Sequence, residues 1–222
     1  MVKVVTFVRR KPGMPRDEFQ QYWRARHPEV VLALPGVRRY VQSHALPPVA
    51  GAPEPPYDGI AEVWADDTRA LREMTRSPRY AAVQADEANF IDRGSMGVVV
   101  TEEHVVVDGV VGAASVKRVE FFARRPGLDV EAFQRHWRET HAPLAAAVPG
   151  VRRYVQSHTR RSAYEAGRSP AWDGVSLAWF DSVDAALASS APAHRLVAED
   201  RERFLAPGPP PLLLTREHII RP

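Results

Sequence analysis

The 222-residue sequence contains no cysteine. That absence excludes disulfides, thiolate nucleophiles, Fe–S clusters and Cys-ligated zinc, and it suits a reducing cytoplasm. A charge excess of one sign is missing too: 30 Lys and Arg face 27 Asp and Glu, a net charge of +3, with the arginines spread among acids along the chain. A nucleic-acid-binding domain would show a basic stripe or interleaved aromatic and basic residues, and neither is present, so no nucleic-acid partner is expected. No apolar run approaches the length of a membrane span, and the opening MVKVVTFVRRKPG reads as a strand and a turn, not as a signal peptide. The expected location is the cytoplasm, with no membrane partner.

What is present is an ordinary globular composition, 45% hydrophobic and 26% charged, enough for one large domain or two of about 110 residues each. An internal repeat decides between them. PGVRRYVQSH runs from Pro35 to His44 and again, identically, from Pro149 to His158, an offset of 114. The same offset aligns Phe19 with Phe133, Trp23 with Trp137, His27 with His141 and Phe90 with Phe204, and it places TEEH at Thr101 over TREH at Thr215. One extra residue in the second copy shifts Tyr57-Asp58-Gly59 onto Trp172-Asp173-Gly174. The Gly-, Ala- and Val-rich link Asp108 to Ser115 sets the expected domains at 1–112 and 113–222.

Within a copy, Lys3 to Arg10 is rich in Val and Phe and ends on Lys11-Pro12-Gly13, which predicts a strand closed by a turn. Phe19, Trp23 and His27 recur at helical spacing from Arg16, with Asp17 and Glu18 in the first turn, where the helix dipole favours acids. Val37 to His44 predicts a second strand, with Tyr40, Gln42 and His44 on one face and Val37 and Val41 on the other. If the valines pack under the helices, the polar row points the opposite way, into a barrel. A Pro-rich loop leads to a third strand at Gly59 to Trp64, a helix or a pair broken near Pro78, and a fourth strand at Val98 to Val107. The order βαββαβ predicts an α+β fold of two ferredoxin-like units, an antiparallel sheet with helices on one face in each. Two such sheets can pack face to face, so the expectation is a dimeric α+β barrel made within one chain, with room for a higher homo-oligomer.

Phe-x-x-x-Trp-x-x-x-His-x-Pro or its close variant, Pro-Gly-Val-x-x-Tyr, Asp-Gly and a closing Thr-x-x-His, in that order and twice over, resemble the EthD family of the dimeric α+β barrel superfamily. The resemblance implies the ferredoxin-like barrel. It also implies a choice of chemistries, since that superfamily includes cofactor-free isomerases, polyketide cyclases, small monooxygenases and haem enzymes. In a methylmuconolactone isomerase of that family a His ending the first helix and a Tyr on the second strand sit in the active site. By resemblance, the catalytic residues here are His27 with Tyr40 and His141 with Tyr154.

The residues themselves support a similar reading. Imidazole titrates nearest neutrality, so His27 or His141 in an apolar cavity could move a proton, and a Tyr beside it could donate to a developing oxygen anion. Gln42, His44, Gln156 and His158 share the tyrosines' strand face, and Trp23, Trp64, Trp137 and Trp179 could wall a flat substrate; these eight are the expected substrate-binding residues. Glu62 aligns with Leu177 and Glu120 with Thr6, so the two cavities should differ. No His-x-x-x-His or His-Glu-x-x-His spacing occurs, and neither a metal nor another cofactor is expected. The function expected is a cofactor-independent isomerase, cyclase or lyase acting on a small cyclic or aromatic, polyketide- or lactone-like compound. The alternatives are a cofactor-free monooxygenase and a small-molecule binding protein without turnover.

Overall fold

The computed structural model describes residues 1–167 and 169–222. They divide into two compact units, Met1–Val100 with Glu217–Pro222, and Thr101–Arg216. The first contains β1 (Val2–Val8), α1 (Arg16–Ala25), α2 (His27–Leu32), β2 (Arg39–Ala45), β3 (Gly59–Ala65), α3 (Thr68–Arg76), α4 (Tyr80–Phe90) and the start of β4 (Gly97–Asp108). The second takes the rest of β4, then β5 (Val116–Phe122), α5 (Val130–His136), a π-helical turn (Trp137–His141), α6 (Ala142–Ala146), β6 (Arg153–Thr159) and α7 (Arg161–Glu165). It continues through β7 (Gly174–Phe180), α8 (Val183–Leu187), α9 (Pro192–Phe204) and the start of β8 (Leu212–Arg221), whose end belongs to the first unit. In the first unit β3 lies antiparallel between β1 and β2. In the second the antiparallel order is β8-β5-β7-β6-β4. The fold is α+β, with the ferredoxin-like order read from the sequence in both copies, and among the described residues no helix is long and apolar enough to cross a membrane.

Local chemistry sets the helix limits. Asp67, Asp129 and Ser182 cap α3, α5 and α8 by accepting from the N–H groups of Ala70, Ala132 and Ala185. The stripe expected to run unbroken from Phe19 to His27 is interrupted, because Pro28 and Pro143 lack the N–H that would continue the ladder. In the first copy α1 ends at Ala25 and α2 restarts at His27. In the second, the Ala142 N–H reaches back to the Trp137 carbonyl, a π turn that carries His141 at its end.

The helices cover the face of each sheet that bears the tyrosine, which reverses the expectation for the second strand. Tyr40 packs with Val31, Leu34, Leu71, Met74 and Val83 in one buried cluster. The Gln42 amide donates to the Trp23 carbonyl on α1, whereas Val41 pairs with Glu62 on the opposite face. The polar row is therefore under the helices. Its glutamine amides donate to helix carbonyls and tyrosine hydroxyls, and the His44 and His158 Nε2 atoms bond the glutamine oxygens, while His158 Nδ1 is buried without a partner.

Candidate active site

In the second unit, helices α6, α8 and α9 and strands β5 and β7 enclose a cavity of ≈ 290 Å³. Val148, Val151, Phe180 and Val197 give it apolar walls, and His141, Tyr154, Ser176, Arg118, Glu120 and Arg201 supply the polar groups. A small apolar cavity with a few convergent polar groups is what a ligand site requires.

The π turn sets the His141 ring 1% exposed against Phe122 and Phe204. Its Nδ1 lies 2.8 Å from Asp200 Oδ2, and the other Asp200 oxygen lies 2.9 Å from His136 Nε2. An ionised carboxylate only accepts, so Nδ1 carries the proton and Nε2 keeps its lone pair. Nε2 has no protein partner among the described residues. Burial, outweighing the Asp200 hydrogen bond, lowers the His141 pKa to about 4, so the ring is a neutral base at physiological pH.

Tyr154, on β6, lines the same cavity. Its hydroxyl accepts from Trp137 Nε1 at 3.1 Å and from Gln156 Nε2 at 3.3 Å, which leaves its own proton to donate toward Ser176 or a ligand oxygen. Burial raises its pKa, keeping it protonated. Glu120 bridges two guanidiniums, Arg118 at 3.0 Å and Arg201 at 2.7 Å. Burial alone would raise the Glu120 pKa, but Arg201 and Arg118 overcome that and hold it at about 2.

The first unit keeps the frame and lacks the two arginines. His27 Nδ1 sits 2.7 Å from Asp86, whose second oxygen accepts from the Tyr22 hydroxyl at 2.7 Å. Burial again lowers the imidazole pKa. At the aligned positions, however, Arg118, Glu120 and Arg201 become Val4, Thr6 and Glu87. Val4, Val63, Leu71, Met74, Tyr80 and Val83 pack around Tyr40 in the hydrophobic cluster.

The other residues expected at the site divide. Gln42 and Gln156 each donate to the neighbouring Tyr hydroxyl and to a Trp backbone carbonyl, and each accepts at 3.0 Å from Nε2 of His44 or His158. His44 and His158 stack on Trp23 and Trp137, and burial lowers their pKa values to about 3 and about 2. They are neutral members of a relay that holds the tyrosine, and they do not line the cavity. Trp64 and Trp179 lie on the sheet face away from the helices, under Lys3 and Lys117 at 5.2 and 4.8 Å. Glu62 is on that face too, 2.9 Å from Lys3.

Sequence reading missed Asp86 and Asp200, Arg118 and Arg201. The aspartates were visible as an acid repeated at the offset of 114, four residues before the repeated phenylalanine. The arginines carry no such mark, because only the second copy has them. Among the described residues no group of three or more His, Asp or Glu could hold a metal ion.

Fold and site together define a two-copy ferredoxin-like α+β protein with a histidine–aspartate pair in each copy. The chain belongs to the EthD domain family, which matches residues 11–94 and again 125–208. Among solved structures it is similar to an anthrone oxidase-like protein, with 15% identity over 98% of this chain and 92% of the other, at a TM-score of 0.67. It is also similar to a mutant chlorite dismutase from Candidatus Nitrospira defluvii, with 12% identity over 96% of this chain and 90% of that one, at a TM-score of 0.51. These likenesses establish the fold. No curated protein matches the sequence.

Proposed function

We propose that the second unit is the working half of a cofactor-independent enzyme acting on a small cyclic or aromatic compound. His141 Nε2 takes a proton from a carbon next to a carbonyl, and the bonding pair moves onto the carbonyl oxygen. Tyr154 donates a hydrogen bond to that oxygen as its charge grows. Return of the proton to another position completes an isomerisation, and loss or attack of a neighbouring group gives elimination or cyclisation. The observation that supports this reading is the His141–Asp200 pair, 2.8 Å apart, with an unengaged Nε2 on a residue that lines the same cavity as Tyr154.

The test is exchange of α-hydrogens for solvent deuterium, followed by NMR on a panel of cyclic ketones and lactones. Enzyme-dependent exchange should fall at least ~100-fold in His141→Ala and persist in His27→Ala. Exchange indifferent to His141→Ala overturns the reading. Oxygen uptake on adding an electron-rich phenol, abolished by the same substitution, would replace it with the oxygenase alternative.

A further inference from the structure

The Arg118–Glu120–Arg201 group is an unusual object to bury in a small apolar cavity, because two guanidiniums share a single carboxylate. Each guanidinium offers five N–H donors in a planar fork. Glu120 takes one contact from each, at 3.0 Å from Arg118 and 2.7 Å from Arg201, and the Ala186 carbonyl takes one more from Arg118 at 3.0 Å. Nε of Arg118 and Nε of Arg201 are buried out of reach of the cavity, so any ligand would meet the remaining N–H groups of the two forks, most of which have no protein acceptor among the described residues. Both side chains line the cavity and are about a fifth exposed, 23% and 21%. The three cavity-lining charges sum to +1, and Asp200 lies behind His141, already engaged by His141 and His136. Donors left without acceptors in an apolar enclosure favour an anionic oxygen group.

The aligned positions of the first unit are Val4, Thr6 and Glu87, where no cation is present, although His27, Asp86 and Tyr40 are kept. The fold and the tyrosine relay therefore do not need the arginines.

We propose that the ligand of the second unit's cavity is a small ring compound bearing a carboxylate, docked on Arg201 and Arg118 with its ring among Val148, Val151, Phe180 and Val197. Glu120 then acts as a placeholder, bridging the two guanidiniums and competing with the ligand for them. The inference rests on the proposed function for the location of the site, but not on any reaction there.

Binding to the full-length protein can be measured by calorimetry with benzoate and 2-naphthoate, each beside its uncharged amide. The carboxylates should bind at least tenfold more tightly than the amides. Arg201→Met should remove that preference by weakening carboxylate binding more than amide binding. Glu120→Gln should tighten carboxylate binding severalfold by freeing the guanidiniums, and this variant keeps the inference testable if Arg201→Met folds poorly. Equal affinity for acid and amide, failure of both acids to bind, or weaker carboxylate binding in Glu120→Gln would each overturn the inference. Any of these could occur while deuterium exchange on neutral ketones still depends on His141, so the failure of this inference is distinct from the failure of the proposed reaction.

Discussion

Asp200 holds His141 through Nδ1 at 2.8 Å, and Asp86 holds His27 in the same way at 2.7 Å. Each pair joins a helix end near the second strand to the last helix of its copy, 59 residues further along the chain in both. The carboxylate fixes one tautomer and aims the other ring nitrogen, which is a requirement of a general base. Asp200→Asn should therefore leave ligand binding within about threefold while lowering turnover by ~10²–10⁴ through the wrong tautomer. Asp86→Asn should change turnover less than threefold, because Val4, Thr6 and Glu87 stand in the first unit where Arg118, Glu120 and Arg201 line the cavity of the second. Steady-state kinetics of the two variants, with KM and kcat separated, decides this.

The pH dependence has a definite sign. His27, His44, His141 and His158 all have pKa values lowered by burial, His141 to about 4, His44 to about 3 and His158 to about 2. The unfolded chain protonates near pH 6.5, so below that pH the unfolded state binds more protons than the folded one. Stability is thus full above pH ~6.5 and is lost as the pH falls toward the folded values, at up to roughly 1.4 kcal/mol per pH unit for each such histidine. Thermal melts between pH 7 and 4.5 should show a steep fall in Tm, shallower in His44→Gln. Turnover, in contrast, should stay level down to about pH 5 and drop as His141 gains its proton near 4. An activity midpoint near 6.5 would mean that the base is an exposed, unperturbed histidine.

The fold was legible because two copies repeat the same punctuation. Pro-Gly, Asp-Gly and the Phe-Trp-His spacing mark element ends twice, and a duplicated turn signal is hard to mistake. The sheet face was not legible. Alternation in Val37 to His44 separates two faces but does not say which one the helices cover, and apolar valines argued for the wrong one. Buried Gln42 and His44 are tolerated under the helices only because the Trp23 carbonyl and the Tyr40 hydroxyl complete their hydrogen bonds. Likewise Trp64, an aromatic that sequence cannot tell from a cavity wall, stacks beneath Lys3 and Arg39 on the far face. The repeat marks His27, Tyr40, His141 and Tyr154 as candidates, and His141 and Tyr154 line one cavity; their hydrogen-bond partners on other elements carry no mark of that pairing, because a cross-fold hydrogen bond leaves no spacing signal.

The repeated Asp-Gly has a steric cause that substitution can test. A Cβ at Gly174 would stand 2.2 Å from the Trp137 ring, and one at Gly59 would stand 2.7 Å from the Trp23 ring. The preceding aspartates accept from the Arg10 and Arg124 backbone N–H groups at 2.8 and 2.7 Å, so the strand cannot slide aside. Gly174→Ala and Gly59→Ala should each cost about 1–3 kcal/mol in urea denaturation. Only Gly174→Ala should also slow turnover, because displacing Trp137 removes its 3.1 Å hydrogen bond to the Tyr154 hydroxyl.

The difference between the two units also lies in residue size. Ala145 and Ala178 line the cavity of the second unit, and the aligned positions of the first carry Val31 and Val63, packed in the cluster around Tyr40. Helix length follows the same trend: α3 has nine residues and buries Leu71 and Met74, whereas α8 stops after five and buries Ala186 alone. The space of ≈ 290 Å³ reaches solvent past the exposed Leu187, so water fills it and it is not an interior void. Ala145→Val with Ala178→Val copies the packing of the first unit into the second without touching a polar group. The double variant should stay within about 1 kcal/mol of the parent, since the added methyls displace water from an open pocket and do not crowd a filled core. It should lose at least tenfold in affinity for a ring ligand, and turnover should fall with it. A variant that keeps its stability while binding and turning over as before would place the working site outside this cavity. The matching enlargement in the first unit, Val31→Ala with Val63→Ala, should destabilise by about 2–4 kcal/mol and confer no activity, because Val4 and Thr6 still stand where Arg118 and Glu120 are needed.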